Sequence, residues 1–173
     1  MAIAVTLGWS EVNQGAEAGV HRRIRAMWHG RIHKGTGPAG SRWVSDIEGA
    51  LGEMAVAKAL GIYWSDQARL DKDGGDVGPY QVRSTIHQKG CLMIWEDDRD
   101  DDRVILVTHD VPRFILQGWI RAKDGKQPDF WRPDLKSPCY FVPQERLCDM
   151  ADIAAPDEGE DEVIEFPGPD APE

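Results

Sequence analysis

Apolar residues Val12, Ala16, Val20, Ile24 and Met27 recur three and four apart, which predicts an amphipathic helix from about Ser10 to Trp28, stopped by Gly30. A second helical pattern runs through Ile47, Leu51, Met54 and Ala55. It opens on Ser45-Asp46-Ile47-Glu48, a capping box with Ser45 at the N-cap and Glu48 at the third helical position, and closes at Gly61. Two glycines, Gly49 and Gly52, interrupt this helix at a cost of roughly 1 kcal/mol each against alanine, which predicts close approach to another backbone.

Further along, the period changes from helical to two. Tyr80 to Thr85 alternates as a strand does, with Gln81, Arg83 and Thr85 on one face, and Gly78-Pro79 supplies a tight turn before it. Ile62-Tyr63-Trp64 reads as a short edge strand, and Cys91–Trp95, Phe114–Ile120 and Tyr140–Val142 as further strands. Val104 to Val107 is apolar without alternation, as in a strand covered on both faces. The acidic run Glu96–Asp102 reads as a solvated hairpin tip between two of these strands, and Pro143 opens a last helix through Leu147 and Met150. Together these predict an α/β domain over residues 1–150, with a central mixed β-sheet flanked by helices and the two early helices packed on the sheet. Residues 151–173 are Pro, Gly and acid without periodicity, and are expected to form a disordered acidic tail.

Charge sharpens that division. The net charge is −10, yet ten of the 30 acids lie beyond Cys148 with no Lys or Arg. That leaves 20 acids against all 20 Lys and Arg in residues 1–148, so the globular part is neutral. Within it, Arg22, Arg23, Arg25, Arg31, Lys34 and Arg42 crowd a region (residues 10–43) in which Ala18 to Ser45 holds three histidines and no acid. Such a patch suits a polyanion, though any single arginine is more simply a solvated helix face. His29 and His33 belong to this patch rather than to a metal pair. Gly35 to Gly40 is a connector without the Gly-Lys-Ser/Thr ending of a phosphate-binding loop. Of seven tryptophans most are expected in the core, with Trp43 the one placed for base stacking. Cys91, Cys139 and Cys148 form no CxxC pair and fit reduced thiols. With no 18-residue apolar run and no basic-then-apolar leader, a cytoplasmic location is expected.

Candidate chemistry concentrates in two places. Asp76, Gln81 and Arg83 bring an acid, an amide and a guanidinium to one end of a sheet around the Gly78-Pro79 turn. Asp71 and Asp73, just upstream, lack the later glutamate of a calcium loop and read as turn residues. Glu53 lies among Gly49, Ala50, Gly52, Val56 and Ala57, and so is carried into an interface where an ionised carboxylate needs a cation or donors. Glu48 is accounted for by capping; Glu53 is not.

With those residues in place, the chain resembles the PD-(D/E)XK nuclease superfamily, and most of all uncharacterised phage-encoded members. The resemblance rests on Gly49-Ala50-Leu51-Gly52-Glu53, on Gly75-Asp76 and Gln81-Val82-Arg83-Ser84-Thr85, and on Val104–Thr108 and Phe114–Ile120 in that order, over about residues 7–148. It implies a restriction-endonuclease-like core and a metal-dependent DNA nuclease acting in phage or bacterial DNA processing or recombination. In that family a helix glutamate, an aspartate and a second acid hold one or two Mg2+ ions (Mn2+ serving in its place), and a lysine orients or activates the attacking water. The matching positions are Glu53, Asp76 and Gln81 for the metal and Arg83 for the lysine. Gln81 replaces an acid with a neutral oxygen. Arg83 stays protonated and can clamp a phosphate but cannot take a proton from water. Two alternatives follow: a nuclease-fold protein that binds DNA or serves as an accessory subunit without cutting, and an inhibitor or adaptor acting through the acidic tail. A homodimer, or a protein partner held by the tail, fits either.

Overall fold

The computed structural model describes residues 1–30, 42–65 and 75–153. Its architecture follows from β4 (Arg103–Asp110), whose apolar run is covered on both sides. Ile105 and Val107 join one core cluster with Leu51, Val56, Tyr80, Val82, Phe114 and Leu116. Val104 and Leu106 join a second with Leu92, Ile94, Ile120 and Val142. Side chains alternate across a strand, so a run without polar interruptions must be buried on both faces.

Around β4 stands a four-stranded mixed sheet in the order β1-β5-β4-β2, where β1 is Ile3–Thr6, β2 Tyr80–Thr85 and β5 Arg113–Arg121. β2 runs parallel to β4 with Gln81 beside Val104 and Arg83 beside Leu106; β4–β5 and β5–β1 are antiparallel. A smaller antiparallel sheet, β3-β7-β6, is built from Leu92–Ile94 (β3), Trp131–Arg132 (β6) and Cys139–Val142 (β7), and one helical turn, Ala122–Gly125, follows β5.

The two long helices are α1 (Trp9–Trp28) and α2 (Arg42–Leu60). α2 lies on the sheet, and Gly52 makes the approach possible: a Cβ there would stand 2.9 Å from the Ser84 Cβ of β2. α1 rests on α2 through a face of small residues, Gly15, Ala18 and Gly19, rather than through an aliphatic stripe. A Cβ on Gly15 would meet Leu51 Cδ2 at 2.6 Å. One on Gly19 would meet the Asp46 carbonyl oxygen at 2.7 Å and would fall on the Ile47 Cα.

Several expectations are corrected. The second half of the anticipated α1 stripe, Ile24 and Met27, is exposed, because the glycine face outcompetes it for the close helix–helix contact. Trp9 and Trp28 are exposed as well, against the expectation of core tryptophans. α2 begins at Arg42, so Ser45 and Glu48 lie inside the helix and not at its cap, while Gly61, with φ 68°, does terminate it. Gly49 meets nothing within 4 Å, so only one of the two α2 glycines serves an approach. Ile62–Trp64 is not a strand. β3 pairs with β7 and not with β4, so Glu96–Asp102 is no hairpin tip. Asp102 in it is buried, and Asp98 and Asp102 accept backbone N–H bonds from Trp95 and Arg99. The expected last helix is two short 3-10 turns, Gln144–Arg146 and Met150–Asp152. β1 was not anticipated; it completes the sheet beside β5. All three cysteines are free, and among the described residues no helix is long and apolar enough to cross a membrane. The tail from residue 154, the Gly35–Gly40 connector, Asp71 and Asp73 lie outside the described residues.

These contacts set two stability predictions. Gly19→Ala should destabilise by about 1–3 kcal/mol or more through overpacking against backbone, whereas Gly49→Ala should stabilise by about 0.5–1 kcal/mol. Urea midpoints with unchanged slopes would check both. His109 stacks on Phe114 at 5.4 Å, and its Nε2 is buried without a hydrogen-bond partner. Burial pushes its imidazole below the ordinary value of about 6.5, against a weaker opposing pull from Asp110. The unfolded chain therefore binds a proton near pH 6.5 that the native state refuses. Stability present above that pH is lost as pH falls toward the lowered native value. Melting temperatures of the wild type between pH 8 and 5.5 should fall with acid, and His109→Gln should flatten that slope.

Candidate metal and phosphate site

The turn before β2 is built to hold an acid. Gly75 N–H donates to the Gly78 carbonyl at 2.8 Å, Val77 bridges Tyr80, and Gly78 takes φ 53°, a left-handed conformation suited to glycine. Gly75 also needs to be glycine, since a Cβ would stand 2.5 Å from the Tyr80 nitrogen. Asp76 is thereby folded back along the strand, and its Oδ2 accepts the Val82 N–H at 2.9 Å. The same oxygen lies 3.5 Å from Arg83 Nη1, and Arg83 Nη2 donates to Asp98 Oδ1 at 3.0 Å. Arg83 Nε is buried without a hydrogen-bond partner. Gln81, 4% exposed, precedes Arg83 by two residues on the same strand face. Because Val82 packs in the α2-side core and Ser84 against Gly52, that face points away from α2.

Glu53 comes from the other side. It sits mid-helix on α2, 8% exposed, and the cation its burial demands is Arg22 of α1. The guanidinium forms a two-pronged pair, Nη1 to Oε1 at 2.6 Å and Nη2 to Oε2 at 2.7 Å. Trp64 Nε1 donates to Oε2 at 3.2 Å, and Arg22 also stands over the Trp64 ring at 6.0 Å. Burial pushes the Glu53 carboxyl upward, opposed by the Arg22 and Trp64 hydrogen bonds and reinforced by the nearby charge of Asp76. On Arg22 burial works against the charge, but Glu53 outweighs it and, with Asp76, holds the guanidinium protonated. Asp76 thus feels both Arg22 and Glu53 and touches Arg83, which links the helix acid to the strand arginine.

Asp76 therefore stands between Glu53, which feels its charge, and Arg83, which touches it, while Gln81 and Arg83 share the strand face away from α2. The expected basic patch divides. Arg22 is bound to Glu53; Arg23, 4% exposed, is buried against Asp46 with Nε to Oδ2 at 2.5 Å, so it does not form part of a DNA-facing surface. Arg25 and Arg42 are exposed, and Arg31 and Lys34 lie outside the described residues. Trp43, partly exposed in the first turn of α2, is joined at the surface by Trp28. Sequence reasoning missed the partner roles of Trp64 and Asp98 and the true place of Arg22. One signal was present: Gly15, Gly19, Arg22 and Arg23 share a helix face at spacings of four, three and one, so whatever the glycines approach, these arginines reach.

Two carboxylates and an amide oxygen are hard donors of the kind magnesium takes. Among the described residues no three His, Cys, Asp or Glu are grouped to hold a metal ion. The chemistry of Glu53 and Asp76 fits the metal, Gln81 faces away from Glu53, and the cation seated on Glu53 is Arg22.

Breaking a buried pair by removing one partner costs about 3–5 kcal/mol, so Arg22→Met should lower unfolding stability on that scale. Adding Glu53→Gln should recover part of the loss, and a double-mutant cycle by denaturant unfolding should give a coupling of about 1–3 kcal/mol. No protein-family model matches the chain, and no curated protein and no solved structure is significantly similar to it.

Proposed function

We propose that this chain is a magnesium-dependent DNA nuclease with a restriction-endonuclease-like core, able to use Mn2+ in place of Mg2+. The observation that carries the reading is the buried Glu53 carboxylate, which caps nothing and stands within the electrostatic reach of Asp76 at the turn into β2. The mixed sheet with a parallel β2–β4 pair and an antiparallel β5 supports it. Bound by Glu53 and Asp76, magnesium would supply Lewis-acid polarisation of a phosphodiester, while Gln81, the third donor that the resemblance implies, lies on the strand face away from Glu53. Arg83 contributes a fixed positive charge: its guanidinium is held by Asp76 and Asp98 and cannot act as a base, so its part is to bind the scissile phosphate and stabilise charge developing there. Exposed Arg25 and Arg42 give the DNA backbone contacts outside the site.

A second reading is favoured by one specific contact. Both oxygens of Glu53 are already engaged by Arg22, which is the arrangement of a DNA-binding protein on a nuclease-type fold that does not cut. Incubation with plasmid, linear duplex, single-stranded and branched DNA in Mg2+, Mn2+ or chelator separates the two. Cleavage that needs metal and falls by at least about a hundred-fold in Glu53→Ala and Asp76→Ala is the expected result. Binding without cutting on every substrate, indifferent to metal, establishes the second reading instead.

A further inference from the structure

We propose that Arg22 is the resident cation of Glu53, that Arg22 and a divalent metal are alternative occupants of that carboxylate, and that metal binding transfers Arg22 to the substrate phosphate. This rests on the nuclease reading above.

The geometry leaves little room for sharing. Arg22 uses one nitrogen on each oxygen of Glu53, at 2.6 and 2.7 Å, and Trp64 takes a further position on Oε2. A metal ion at about 2.0–2.1 Å from Oε2 would take the place of an N–H donor, and one on the remaining lone pair of Oε1 would stand against the guanidinium's own positive charge. Glu53 is too buried to stand bare, so one cation must arrive as the other leaves.

Charge decides where Arg22 goes. In the resting site three carboxylates, Glu53, Asp76 and Asp98, face two guanidiniums, Arg22 and Arg83, leaving one net negative charge. A divalent metal reverses that to one positive charge, and a single phosphodiester restores neutrality. Freed from Glu53, Arg22 gains by moving onto that phosphate, for which a planar two-pronged donor is suited. Its side chain is partly exposed, and its Nε has no partner in the resting pair, so the move abandons no further hydrogen bond. Arg22 is thus a positioning residue twice over, holding Glu53 until metal arrives and the phosphate afterwards.

The competition lowers apparent metal affinity by the fraction of time Glu53 is free. If the pair is formed nine-tenths of the time or more, removing Arg22 tightens metal binding about ten-fold or more. The test is Mn2+ titration of the full chain by calorimetry and tryptophan fluorescence at pH 8, comparing wild type, Arg22→Met, Arg25→Met and Trp64→Phe. Arg25→Met removes the same charge from the same helix without touching Glu53. The expected result is a roughly ten-fold gain for Arg22→Met, little change for Arg25→Met, and a metal-induced fluorescence change that Trp64→Phe abolishes. Equal affinities in Arg22→Met and Arg25→Met overturn the exchange while leaving the nuclease reading standing. Absence of Mn2+ binding in every variant overturns both. The wild-type chain decides the matter even if Arg22→Met does not fold. Nuclear magnetic resonance of the arginine side chains should show the Arg22 Nη–H signals shifting and losing protection on Mn2+-free Mg2+ addition, while Arg23, paired with Asp46, stays unchanged; an unchanged Arg22 sinks the proposal.

Discussion

An ionised carboxylate carried into a protein interior must be met by a positive charge and by donors for its lone pairs, or it will not remain ionised. Glu53 imposes that constraint here. It is held mid-helix among Ala50, Gly52, Val56 and Ala57, all buried, so little of it reaches water. The response comes from two segments of the chain, the guanidinium of Arg22 from α1 and the indole N–H of Trp64 from beyond the end of α2, and it works against the like charge of Asp76 in the turn before β2. Each of those segments is positioned by something else, and the glycines are chief among the reasons.

Gly15 and Gly19 let α1 approach α2 closely enough for the Arg22 and Arg23 side chains to reach their acids. Gly52 lets α2 approach β2, and Gly75 lets the Asp76 loop fold against the start of that strand. The site is thus assembled from contacts in which the absence of a side chain at one position permits a charge pair at another. A charged residue near such a contact is drawn inward, which explains why a segment rich in arginine contributes less to the surface than its composition suggests. Arg22 and Arg23 serve acids of α2, while Arg25, one turn further, remains in solvent.

Much of the fold was legible because strong periodicities are local. The 20-residue α1, the strand from Tyr80 to Thr85 with its Gly78 turn, and the doubly covered β4 all follow from spacing and from which residues can turn. The misreadings share a cause. Ser45 and Glu48 match a capping box, but helix α2 continues upstream to Arg42, because a local cap preference is weak beside continued helix formation. The acidic run at Glu96–Asp102 is mostly solvated as expected, yet Asp102 is buried and Asp98 is recruited by Arg83 of β2. Pairing of β3 with β7 likewise joins segments almost fifty residues apart, beyond what periodicity can report.

For the candidate site, sequence alone determined the residue types and their local setting: a glutamate surrounded by small residues, an aspartate before a glycine turn, and a glutamine and an arginine on one strand face. It also determined that Glu53 would need a cation, since that follows from burial and charge. Which cation meets it was decided only by the tertiary structure. Spacing along a chain fixes the face a side chain occupies, but the partner on that face depends on how closely two helices can pack, and here that distance is set by glycines on one helix against the backbone of the other.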